Sequence, residues 1–244
     1  LSKKLFDVFA YIVGKRTAGL PCAVIVTCIF YGAISGSGPA TTAAVGAMCI
    51  PLLIRLGYNK NFSAAMVAVA GSLGVVIPPS LIFVMFGVTT GESVGDLFIA
   101  GIIPGILIGI SLMIWAYIYC KKNGEDKAKI EANYRELKER GFLNVFKDGF
   151  WALLTPVIIL GGIYSGIVTP TEAACLSVFY ALIVSLFIYK TMSFRDIKIF
   201  LMEAINSYTP MCLLLAFAIA FSRVLTLLKA PQMLSAFLGS TFGR

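Results

Sequence analysis

Charge interrupts this chain at only a few places, and the gaps between the interruptions limit what it can fold into. No Asp, Glu, Lys or Arg occurs from Thr17 to Ile54, Asn61 to Gly91, Leu97 to Cys120, Gly149 to Thr171, Ala173 to Tyr189 or Ala204 to Ser222. A helix needs about 20 predominantly apolar residues to cross a bilayer, and the last four gaps fit one crossing each. Only 13% of the 244 residues are charged, against about 25% in soluble domains, so a water-facing surface could not be covered. In lipid, every backbone polar group must find a partner inside the protein, which leaves helices or closed barrels. Uninterrupted apolar runs of this length select helices, and the chain reads as an all-α, multi-pass integral membrane protein.

The net charge of +8 is spread in short Lys/Arg clusters between apolar runs, as in cytoplasmic loops. No basic helix or aromatic platform for nucleic acid is present. The chain has six cysteines and no histidine, and no CxxC pair, which argues against transition-metal and haem sites. Serine–histidine catalysis is impossible, and no intramembrane carboxylate pair offers acid–base chemistry. Gly36-Ser37-Gly38 lacks the flanking order of a nucleophile elbow. An enzyme is disfavoured. The start at Leu1 and the lack of a signal-peptide pattern over Leu1–Lys15 read as part of something longer.

Two apolar stretches are too long for a single helix and carry breakers near the middle. In 17–54 the sequence Ser35-Gly36-Ser37-Gly38-Pro39 places two glycines and a proline together. Both flanks are basic (Lys15 and Arg16; Arg55 and Lys60), so both ends are expected on the cytoplasmic side. Two full spans would also return the chain to that side, but each half has only about 17 to 20 residues and the tip is small and polar, so a re-entrant hairpin with its tip near mid-membrane is the better reading. In 61–91, Pro78 and Pro79 remove two backbone donors and force the residue before them to be extended. That stretch is read as a discontinuous helix running outward to an acidic loop with Glu92 and Asp96.

The expected organisation is an amphipathic lead-in helix over 1–16 and a transport-domain half over 17–120. That half comprises the hairpin (17–54), the broken helix (61–91) and a return span (97–120). A charged cytoplasmic connector follows over 121–148, with Glu131/Arg135 and Glu136/Arg140 spaced for helical ion pairs. Further spans occupy 149–230, with an interfacial helix over Ser193–Glu203 and a span over Ala204–Ser222 that leaves Arg223 and Lys229 against the positive-inside rule. Residues 231–244 are expected to begin a second hairpin, cut short.

Broken helices in a membrane expose carbonyls and helix ends in a dry setting. Carbonyl and hydroxyl oxygens suit Na⁺, and the amide ends of half-helices suit a carboxylate. Ser35, Ser37, Thr41 and Thr42 offer hydroxyls at the first break. Ser80 and the carbonyls of Gly74 to Ile77 offer oxygens at the second. The competing reading is tight helix packing by small residues. Two mid-span breaks within about 40 residues favour an ion and substrate site.

The string Gly32-Ala33-Ile34-Ser35-Gly36-Ser37-Gly38-Pro39-Ala40-Thr41-Thr42-Ala43-Ala44-Val45-Gly46 resembles the hairpin signature of the large membrane subunit of tripartite ATP-independent periplasmic (TRAP) transporters. Gly74-Val75-Val76-Ile77-Pro78-Pro79-Ser80, then Phe98 to Gly105, and Thr169 to Ala174 are similar to later stretches of that family, in its order. The resemblance implies a bacterial inner-membrane, elevator-type transporter with an inverted repeat. It implies Na⁺ as coupling ion, no other cofactor, and uptake of an organic acid such as a C4-dicarboxylate or sialic acid. The implied partners are a periplasmic substrate-binding protein and a small membrane subunit, separate or fused. The sodium-site expectation falls on Ser35, Gly36, Ser37, Gly74, Ile77 and Pro78. The substrate-site expectation falls on Ser37, Gly38, Thr41, Pro79 and Ser80. An ion channel and a non-transporting membrane scaffold remain the alternatives.

Overall fold

The computed structural model describes residues 2–139, 141–229 and Met233. The expected second hairpin over 231–244 and the Glu136/Arg140 pair therefore lie outside the described residues. Every regular element among the described residues is helical, and the chain divides into two compact units, 1–182 and 183–244.

The first unit holds α1 (Ser2–Val13), α2 (Gly19–Ser35), α3 (Gly38–Arg55), α4 (Lys60–Gly71), α5 (Leu73–Val76), α6 (Leu81–Thr90), α7 (Val94–Asn123), α8 (Lys127–Glu139), α9 (Phe142–Tyr164) and nearly all of α10 (Pro170–Ile183). Helix α2 is its axis and packs against α1, α3, α4, α5, α7 and α9. This follows from its sequence, which is apolar on every side, so that it has no face suited to water. Leu20, Ala23, Val24, Ile25 and Cys28 are all buried in the core they share with Val45, Cys49, Leu53, Val67 and Leu73. The outer faces of α6 and α7 leave Ile82, Phe86, Ile103, Leu107, Trp115 and Ile118 exposed, as lipid-facing helices do.

Among the described residues, five helical runs are long and apolar enough to cross a membrane: Gly38–Arg55, Lys60–Thr90, Val94–Asn123, Val145–Tyr164 and Pro170–Ile188. Helix α2, with 17 residues, reaches only about 26 Å at 1.5 Å per residue, short of the ~30 Å hydrocarbon layer.

Several ends are set by local chemistry. Asn59 caps α4 by accepting from the amide of Asn61 at 2.8 Å. Thr169 and Glu172 form a reciprocal capping box at the start of α10: the carboxylate accepts from the Thr169 amide at 2.7 Å and the hydroxyl accepts from the Glu172 amide at 3.3 Å. Pro170 stands at the first helical position, where its missing N–H is harmless.

Helices run into the charged connector from both sides. Helix α7 continues through Lys121 and Lys122 to Asn123, and α9 already begins at Phe142. Charged side chains are good helix formers, so leaving the membrane does not end a helix. Between them, α8 carries the expected Glu131–Arg135 ion pair at 3.0 Å.

The second unit contains a π-helical turn, Val184–Ile188, and α11, Asp196–Leu227. Here no helix end falls at the expected boundary between an interfacial helix over 193–203 and a span over 204–222. One 32-residue helix covers both, because no Gly or Pro stands between Asp196 and Thr209 to stop it. Arg223 lies within that helix and not beyond its end.

Candidate functional site at the hairpin tip

Helix α2 ends where Gly36 takes a left-handed backbone, φ 62°, and its amide bonds back to the Gly32 carbonyl at 2.8 Å. Glycine is the residue that adopts this conformation without steric cost. Ser37 is extended, and Gly38-Pro39 open α3. The chain thus reverses direction in two residues and forms a helical hairpin.

The second break forms beside it. Ile77 is extended, as a residue preceding proline must be. The Pro78–Pro79 peptide bond is cis, and Ser80 is extended before α6 begins at Leu81. Because prolines occupy 78 and 79, the carbonyls of Gly74 and Val75 lack the amide donors that a continuous helix would supply four residues later.

The two breaks meet. The Leu81 amide donates to the Gly36 carbonyl at 3.2 Å. Contact elsewhere is close enough to require glycine. A methyl group on Gly36 would lie 2.9 Å from the Pro79 carbonyl oxygen, and one on Gly32 would lie 2.6 Å from the Gly74 Cα. One on Gly74 would lie 2.5 Å from the Thr41 hydroxyl and 3.0 Å from the Ser37 carbonyl oxygen, and one on Gly38 would lie 2.9 Å from the Val75 side chain. Small-residue packing and a polar site, set against each other from sequence, therefore coexist here: the glycines bring polar backbone together.

At the centre of the contact, three oxygens converge. The Thr41 hydroxyl donates to the Ser37 carbonyl at 2.8 Å, the Ser35 hydroxyl reaches the same carbonyl at 3.2 Å, and the two hydroxyls lie 2.8 Å apart. Thr41 is fully buried. The hydroxyl of Ser80 is also buried and has no hydrogen-bond partner among the described residues, a condition that generally costs about 1–3 kcal/mol unless a ligand or water meets the group.

Of the residues expected at the site, Ser35, Gly36, Ser37, Gly38, Thr41, Gly74 and Pro79 are brought into mutual contact, with Ser80 next to Pro79 and immediately before Leu81. Three expectations change in kind. Ser37 contributes its carbonyl, while its hydroxyl only caps α3 at 3.5 Å from the Ala40 amide. The Ile77 side chain packs towards Gly105 of α7, so only its backbone remains for a site. The Thr42 side chain sits against Gly71, which makes it a helix-packing residue. The Leu81 amide was not foreseeable, because any residue type supplies an amide.

The arrangement sorts by charge. The C-terminal ends of α2 and α5 bring partial negative charge, and the N-terminal ends of α3 and α6 bring partial positive charge. The converging oxygens are all neutral. They suit a singly charged hard cation, while the amide ends suit anionic oxygens.

The chain matches, over residues 1–244, the family model described as tripartite ATP-independent periplasmic transporter, DctM component. It is 43% identical over 99% of its length to the isethionate TRAP transporter permease protein DctMQ of Oleidesulfovibrio alaskensis, of which it covers 37%. It is 39% identical over 97% of its length to the C4-dicarboxylate TRAP transporter large permease protein DctM of Pseudomonas aeruginosa, covering 54% of it. With the sialic acid TRAP transporter large permease protein SiaM of Vibrio cholerae it shares 33% identity over 96% of its own length and 54% of the relative's. The chain thus spans about half the length of most curated relatives it matches.

Proposed function

The chain belongs to the DctM component family of tripartite ATP-independent periplasmic transporters, a family of multi-pass inner-membrane permeases, and from that premise we propose that it serves Na⁺-coupled uptake of a small organic anion. In this reading the hairpin tip and the Pro78–Pro79 break form one Na⁺ site and one wall of the substrate site. Ser35, Thr41 and the Ser37 carbonyl hold the cation, with free carbonyls near Gly74 completing its shell. The amide ends at Gly38 and at Ser80 receive an anionic group, and the Ser80 hydroxyl becomes its hydrogen-bond donor.

The observation that carries this reading is the convergence of neutral oxygens at 2.8–3.2 Å at the first break, joined through the Leu81 amide to a second break whose buried Ser80 hydroxyl has no hydrogen-bond partner among the described residues. The named relatives carry isethionate, C4-dicarboxylate and sialic acid. All three present a carboxylate or sulfonate, which is the chemistry that helix amide ends accept. Family membership supports a small membrane subunit, fused or separate, a periplasmic binding protein as partners, and an elevator movement of the hairpin-bearing domain.

The test is uptake into proteoliposomes containing the complete permease, its small subunit and its binding protein, with an inward Na⁺ gradient or a K⁺ gradient. Uptake of one of these anions only with Na⁺ supports the proposal. Uptake that is equal in K⁺ refutes the coupling. Passive, saturation-free flux of ions indicates a channel, and no flux of any kind indicates a scaffold.

A further inference from the structure

Far along α2 and α3 from the tip, one carboxylate holds both legs of the hairpin. Glu125 lies in the junction between α7 and α8. Its two oxygens accept from the backbone amide of Ala18 at 3.1 and 3.0 Å, and its Oε1 also accepts from the Tyr58 hydroxyl. Ala18 precedes α2 and Tyr58 follows α3, so these partners mark the two ends of the hairpin. They lie 107 and 67 residues from Glu125 in sequence.

The surroundings make this a built contact. Ala18 is fully buried and has a left-handed backbone, φ 57°, so its amide has no helical partner and no access to water. Gly57 has φ 96°, and a methyl group on it would come within 3.2 Å of the Asp126 side chain, which packs the loop after α3 onto the same junction. Tyr58 stacks on Phe62, and Phe62 on Tyr119 of α7 with ring centroids 4.0 Å apart. Hydrogen bonds to a carboxylate are roughly twice as strong as neutral ones.

We propose that Glu125 is a positioning residue for transport: by tying Ala18 and Tyr58 to the α7–α8 junction it fixes the base of the hairpin, and through the rigid legs it sets where the tip meets the Pro78–Pro79 break. The lever arm explains why a distant contact matters. Over a leg of about 26 Å, a tilt of about 5° at the base moves the tip by roughly 2 Å. That is enough to break the 3.2 Å bond between the Leu81 amide and the Gly36 carbonyl.

The test measures two quantities in the complete permease with its partner subunits: amide hydrogen exchange over 17–20 and 35–41, and the half-saturating Na⁺ concentration for uptake. The second rests on the function proposed above; the first does not. Glu125→Ala is expected to raise exchange at the tip as well as at the base, by roughly tenfold at both, and to raise the half-saturating Na⁺ several-fold. Tyr58→Phe and Glu125→Gln, which each keep part of the clasp, are expected to move both quantities in the same direction by less. They carry the test alone if Glu125→Ala does not fold. Faster exchange confined to 17–20, or a tip that loosens while half-saturating Na⁺ stays at the parent value, overturns the proposal. If the parent shows no Na⁺ dependence, the functional reading fails by itself, and tip exchange alone decides whether the clasp acts at a distance.

Discussion

At the residue scale, the site separates side chains that supply chemistry from those that supply only space or backbone. Ser35 and Thr41 place hydroxyls in the oxygen cluster, whereas Ser37 places a carbonyl there. Ser35→Ala and Thr41→Val are therefore expected to raise the Na⁺ concentration needed for half-maximal uptake. Ser37→Ala should leave that concentration near the parent value, losing at most a weak cap worth about 0.5 kcal/mol. Uptake measured against Na⁺ concentration checks this, and an equal effect from all three would contradict the geometry. Gly36 offers a sharper contrast. Gly36→Ala forces an L-residue into a left-handed conformation, costing about 1–2 kcal/mol, and drives a methyl group to 2.9 Å from the Pro79 carbonyl. Gly91 has φ 81° but nothing within 4 Å of an added methyl. Gly36→Ala and Gly91→Ala should both melt earlier, and only Gly36→Ala should abolish uptake. Tyr58 gives a pH test. Burial, then its hydrogen bond to Glu125, pushes its phenol well above the ordinary value. A proton held more tightly in the folded state contributes stability below the unfolded pKa of about 10 and loses it as pH rises beyond that. The melting temperature of the parent should therefore fall more steeply above pH 10 than that of Tyr58→Phe.

At the element scale, the broken helix and the capped helix make opposite predictions. Pro78 and Pro79 each cost an ordinary helix interior roughly 3 kcal/mol relative to Ala. If they serve to keep carbonyls free, Pro78→Ala combined with Pro79→Ala lets the helix close its hydrogen bonds. The variant is then expected to melt at or above the parent temperature while losing both Na⁺-dependent uptake and Na⁺-dependent thermal stabilisation. Melts in Na⁺ and in K⁺ decide between this and a packing role, for which stability would fall and the Na⁺ shift would persist. The Thr169–Glu172 box should behave in the other way. Thr169→Ala removes a hydroxyl that does no more than cap α10, so stability should fall by about 1 kcal/mol with unchanged half-saturating Na⁺.

At the scale of the whole molecule, the hairpin implies a topology that can be checked without transport. Cysteines placed at Gly14 and Lys60 should react with a membrane-impermeant thiol reagent from the same, cytoplasmic side, because both hairpin ends are basic; labelling from opposite sides would mean that 17–54 crosses the membrane an odd number of times and would rule out the re-entrant hairpin. Much of this architecture was legible in the chain itself. Charge-free runs marked the membrane helices, because burying an ion in hydrocarbon is expensive wherever it lies. Gly36-Ser37-Gly38-Pro39 and Pro78-Pro79 marked the breaks, because missing donors and left-handed backbone are local properties of those residues. Helix ends were less legible. The 32-residue α11 and the extension of α7 to Asn123 cross the boundaries that charge predicted, since helical hydrogen bonds continue through polar residues as readily as through apolar ones. Two features required the tertiary structure. The sequence marks Gly36 as a helix end, but only packing shows that its carbonyl accepts from the Leu81 amide of the second break. Glu125 reads in sequence as one more charge in a solvated connector, and only the fold brings it to Ala18 and Tyr58. The physical reason is the same in both cases. Residue type fixes what a group can donate or accept, while the partner that it meets across 67 or 107 residues of chain is set by how the helices pack.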